Sequence, residues 1–253
     1  MIARAVLCPS PPLLARELSG RAPVLPELRD ACAAAVARLV KADSEVVAVA
    51  GAGDVTAAWD PDSRLDLSAY APSAVQPPGT PGTPGTPALP LALGLGAMLL
   101  DNAGYAGPRL LQAVAEAEPP ESCLRLGEAL AAAAPRVGLL VVGDGSARRA
   151  PSAPGHFDER AAPFDAEVAR AISSGDMAAL AAVEPALARD LMATGRAAWQ
   201  VLAGALGPGP GTAPGTGLGA GLGAGPRAAA EAEILYADDP FGVAYLVAVF
   251  EPA

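Results

Sequence analysis

Two short apolar runs, Ile2 to Leu7 and Glu45 to Ala50, bracket a stretch with helical spacing, and the second run ends in Gly51-Ala-Gly-Asp54. Between them, Pro26 to Leu39 places Leu28, Ala31, Cys32, Ala35, Val36 and Leu39 on one helical face, and Pro26 suits a first helical turn. Strand, helix, strand with glycine directly after the second strand is the rhythm of a parallel sheet, whose neighbours need a crossover long enough to hold a helix. The expected fold is α/β: a single domain, residues 1–253, with a mainly parallel central sheet flanked by helices.

The rest of the chain extends this rhythm. Leu89 to Leu95 reads as a third strand and Gly96 to Asn102 as the opening of a helix. Glu121 to Ala134 reads as a helix, and Val137 to Val142 (VGLLVV) is the clearest core strand. Phe164 to Ile172, Met177 to Val183 and Arg196 to Leu206 have helical patterns. Glu233 to Tyr236 and Val243 to Phe250 are the last strands, joined around Asp238-Asp-Pro-Phe-Gly242 as a hairpin at one sheet edge. The Gly-Thr-Pro repeat at 76–87 and the Gly-rich tract at 207–226 are expected to be disordered insertions, since neither composition supports a helix or a ladder.

Composition narrows the partners. A formal charge of −10 and ten aromatic residues argue against nucleic acid, which needs a basic stripe and stacking surfaces. The longest apolar run, 88–100, is short of the roughly 20 residues a spanning helix needs and contains Pro90. Prolines 9, 11 and 12 interrupt the N-terminus before a signal-peptide core can form. Cys8, Cys32 and Cys123 are odd in number and widely spaced, which suits reduced buried thiols. A cytoplasmic protein without membrane contact is expected.

In open α/β sheets, ligands gather at the loops that follow the carboxyl ends of the strands. Three such loops are visible: Cys8 to Pro12, Gly51 to Asp54, and Gly143 to Arg149, with polar residues Ser10, Asp54, Asp144, Ser146, Arg148 and Arg149. A dinucleotide fingerprint is incomplete at Gly51-Ala-Gly53, because Thr56 stands where the third glycine belongs. A hydrolase reading takes Ser146 as nucleophile, His156 as base and Asp158 or Asp165 as orienter, but Arg148 replaces the last glycine of a nucleophile elbow. Arg148-Arg149 either clamps an anion or forms an ion pair with Asp144 or Asp165. His156 is the chain's one histidine, in a loop by composition, and one imidazole cannot build a two-His-one-carboxylate iron face. Asp238-Asp239 reads most simply as a hairpin turn, and no carboxylate spacing suggests magnesium or calcium.

The segments Cys8 to Leu14, Val46 to Gly53, Leu89 to Gly107, Val141 to Arg149, Ala161 to Ala166, Arg196 to Gly204 and Tyr236 to Phe250, in this order, resemble the LigB-like family of class III extradiol ring-cleavage dioxygenases, and within it an alanine-rich actinobacterial branch. The resemblance implies an oxidoreductase that holds one Fe(II) and inserts both atoms of O2 into a catechol-type ring. Its first iron histidine lies in an H-P-P-L context, where this chain has Ser10-Pro-Pro-Leu13. The second falls at Ala52 or Gly53, and the catalytic histidine after a serine falls at Ala147. Glu233 is a candidate by position for the carboxylate ligand. His156 matches none of the three histidine positions.

The resemblance therefore implies a scaffold without its non-heme iron, with no cofactor expected on the residues present. The expectation is a non-catalytic protein that binds a partner or a small anionic or aromatic ligand near Ser10, Ala52, Asp54, Ala147, Arg148 and Arg149. Asp144, Ser146 and His156 would carry any surviving chemistry. The alternative is an active ring-opening oxidoreductase with an atypical metal shell of Asp54, Asp144, His156 or residues from another protomer. Family enzymes assemble as oligomers, so a homodimer is expected.

Overall fold

The computed structural model describes residues 1–19, 24–67, 69–70, 88–207 and 231–251. Its strands are β1 (Ile2–Cys8), β2 (Val46–Gly53), β3 (Ala57–Trp59), β4 (Arg109–Ala115), β5 (Val137–Val142), β6 (Glu231–Asp238) and β7 (Tyr245–Glu251). Its α-helices are α1 (Arg16–Ser19), α2 (Pro26–Lys41), α3 (Leu91–Asn102), α4 (Pro120–Ala131), α5 (Ala161–Ser173), α6 (Met177–Ala181), α7 (Pro185–Asp190) and α8 (Arg196–Leu206).

The strands form one sheet in the order β3-β4-β2-β5-β1-β7-β6. The four central strands run parallel, while β3, β7 and β6 each pair antiparallel with their neighbour. The β6–β7 hairpin thus occupies one edge, as the sequence predicts. Strand β5 is buried at every residue, as expected of a central parallel strand covered on both faces. On one face Val6, Val47, Val49 and Leu140 pack with α2 and α3; on the other Leu7, Ala48, Leu139 and Val141 pack with α4, α5 and α8.

The densest helix packing joins α4 to α8. A Cβ on Gly127 would lie 2.0 Å from the Val201 carbonyl oxygen, and one on Gly204 would lie 2.1 Å from that of Leu124. Only glycine permits this approach. Helix α8 is buried on nearly all sides, Arg196 and Gln200 included.

The expected strand at Leu89 to Leu95 is not formed. Leu89 makes a single bridge to Leu65, and α3 begins at Leu91 after Pro90. Gly94 and Gly96 let this helix lie against Leu65 and Val49, where any Cβ would come within 3 Å of a side chain. A helix covered this fully needs no polar stripe, so its sequence reads as a continuous apolar run. The fourth parallel strand is β4 instead. Residues 76–87 and 208–226 lie outside the described residues.

Candidate functional site

The register places Cys8, Val142 and Gly51 side by side near the carboxyl ends of β1, β5 and β2. Ser10 and Asp144 therefore emerge together just beyond the sheet, while Ala52 is still within β2, paired with Val114 of β4. Asp144 holds Ser10 twice: the Ser10 backbone N–H donates to Oδ1 at 2.6 Å and its hydroxyl to Oδ2 at 3.0 Å. Burial raises the Asp144 pKa to about 6, with the two bonds from Ser10 pulling it down.

One turn further on, Asp165 of α5 does the same to Ser146. The Ser146 N–H donates to Oδ1 at 2.8 Å and its hydroxyl to Oδ2 at 2.5 Å. Ser146 is wholly buried, and its hydroxyl faces the Asp165 carboxylate. His156 stands on an exposed turn with φ 58°. The Ser146–His156 pairing that a hydrolase would need is absent from the hydrogen bonds among the described residues.

Arg149 takes the ion-pair alternative. Its Nε lies 2.7 Å from Asp239 Oδ2 and its Nη1 3.6 Å from Asp165 Oδ2. Burial also raises the Asp165 pKa, opposed by Ser146 and Arg149. Arg148 packs beside Gly155, and its buried Nε meets no acceptor among the described residues. Ala147 is buried, donating to the Leu191 carbonyl and accepting from Gly155. Asp54 is exposed in the turn after β2. Glu233 lies away from this end of the sheet: it pairs with Val249, which is level with Val6, and its carboxylate bonds Arg38 of α2.

The loop from Gly143 to Arg149 is laced to its surroundings by backbone bonds. Gly143 donates to Cys8, Gly145 to Ala244 and Arg149 to Gly242, while Ala244 donates to Ser146 and Gly195 to Asp144. Beside it opens a cavity of about 300 Å³, at the small end of ligand-pocket sizes. Its apolar wall comes from Val168 and Ala169 of α5, Trp199 of α8 and Leu246 of β7. Its polar side is Arg149, Asp165, Asp238 and Asp239. Of these, Trp199 has no part in the sequence reading; its place as the one tryptophan in a helix otherwise rich in alanine was the available signal.

The residues present do not fit the Fe(II) that the family resemblance implies. Ser10 has both donors on Asp144, and the methyl side chains of Ala52 and Ala147 supply no ligand atom. Among the described residues, no group of three His, Cys, Asp or Glu side chains is placed to hold a metal ion. No described helix is long and apolar enough to cross a membrane.

No protein-family profile and no curated protein matches the chain. Among solved structures, it is similar to the crystal structure of an uncharacterized protein from Escherichia coli K12. The two are 12% identical with a TM-score of 0.49, over 98% of this chain and 99% of that one.

Proposed function

We propose that this chain is a LigB-like scaffold that holds no iron and serves as a binding protein for a small ligand. The observation that carries the reading is Ser10: at the position of the family's first iron histidine stands a serine whose N–H and hydroxyl are both engaged by Asp144. Without a bound metal, ring cleavage by the family route has nothing to activate O2. In this reading the ligand sits in the cavity beside Arg149, which alone of the residues expected to bind it lines that cavity. Three buried, free cysteines accord with a cytoplasmic setting, and the homodimer remains part of this reading.

The experiment is metal analysis and catechol turnover on protein loaded with Fe(II) under nitrogen. Substoichiometric iron and no ring-opened product are expected. Stoichiometric iron with ring-opened product would overturn the reading in favour of an active oxidoreductase with an atypical shell.

A further inference from the structure

We propose that the cavity beside Arg149 takes a small organic cation, an ammonium group carried on a short apolar body. The inference rests on the small-ligand reading above and names the ligand's class.

Charge decides the sign. Three carboxylates line the cavity, Asp165 from α5, Asp238 from the end of β6 and Asp239 from the turn after it, against the single guanidinium of Arg149. That guanidinium is already committed to Asp239 and Asp165. Its charge is therefore already balanced by two carboxylates, and a ligand carboxylate or phosphate would meet an excess of negative charge. An ammonium group meets the opposite field. Asp238 is exposed and carries no ion pair among the described residues; its Oδ1 accepts the Asp239 N–H at 2.8 Å, which leaves Oδ2 at the rim for a cation.

The wall decides the rest. Val168, Ala169, Trp199 and Leu246 present hydrocarbon and an indole, which favours an apolar body of ring size over a polyamine or a bare inorganic ion. Trp199 is almost wholly buried. The cavity thus pairs an acidic rim with an apolar floor, the arrangement that suits an arylalkylamine.

The test compares three probes of one shape by calorimetry on the whole chain: 2-phenylethylamine, 2-phenylethanol and 3-phenylpropanoate. The amine should bind at least tenfold tighter than the propanoate. Asp238→Asn, which keeps the Arg149–Asp239 pair, should reduce that preference at least threefold. Leu246→Trp, which fills the cavity, should abolish binding of all three, with circular dichroism confirming that each variant folds. Equal affinities, or preference for the propanoate, would overturn the cation assignment while leaving a small-ligand cavity. If none of the three binds, both the cation assignment and the small-ligand reading fail.

Discussion

Asp144 holds Ser10 with both carboxylate oxygens, one on the backbone N–H and one on the hydroxyl. The bond fixes the loop after β1 to the loop after β5, so two neighbouring strand ends share one anchor. Because burial raises the Asp144 pKa to about 6, the folded state binds this proton more tightly than the unfolded chain, where aspartate titrates near 3.9. The residue's contribution to stability is thus fully present below about pH 4 and is lost as pH rises through about 6.

Carboxyl NMR of the native protein should show Asp144 titrating near 6, and Ser10→Ala, which removes a bond that lowers it, should move the midpoint up. In urea titrations, Asp144→Asn should flatten the stability slope between pH 4 and 6. A native midpoint at or below 4 would contradict the account.

Arg149 serves two carboxylates from different elements, so its removal leaves both without a cation. Arg149→Leu should destabilise by about 1–2 kcal/mol, a moderate value because the side chain is part-exposed. Combined with Asp239→Asn, the loss should be smaller than the sum of the two single losses. Additive losses in chemical denaturation would show that the contact is energetically silent.

Gly204 lies mid-helix, where alanine ordinarily helps by about 1 kcal/mol. Here a Cβ would press on the Leu124 carbonyl, so Gly204→Ala should instead cost about 1–3 kcal/mol. A melting temperature unchanged or raised would mean that α4 and α8 separate freely.

Arg196 is buried without a carboxylate partner among the described residues. It donates to the carbonyls of Glu116 and Glu118 and to Gln200 Oε1, and Gln200 in turn donates to Ala181 and Val183. Arg196→Met strands those carbonyls and should cost about 2–3 kcal/mol, lowering the melting temperature by roughly 5–10 °C. Arg196→Lys should recover little, since a single ammonium cannot reproduce the planar fork. Full rescue by lysine would reduce the site to one of charge alone.

Where a segment shows its burial in its spacing, the sequence was readable. Arg196 to Leu206 and Val137 to Val142 form as predicted, and the β6–β7 turn falls around Asp239-Pro240. Leu89 to Leu95 misleads because a helix buried on all sides and a central strand share one composition. Strand β4 hides because its run RLLQAVA neither alternates cleanly nor ends in a turn signal. At the site, Ser10 and Asp144 were legible as neighbours, since both follow adjacent parallel strands. The meeting of Asp165, Arg149 and Asp239 was only partly legible, because Asp239 arrives from the far edge of the sheet.

The Arg149–Asp239 contact spans 90 residues of chain, and strand β1 waits longer still for β7. On a ribosome, a nascent chain that has emerged only as far as α8 can already pair β1, β2, β4 and β5, yet its cavity lacks a wall and its Arg149 half its partners. The pocket is thus among the last things this chain completes, and its closure marks a molecule whose synthesis has passed the hairpin.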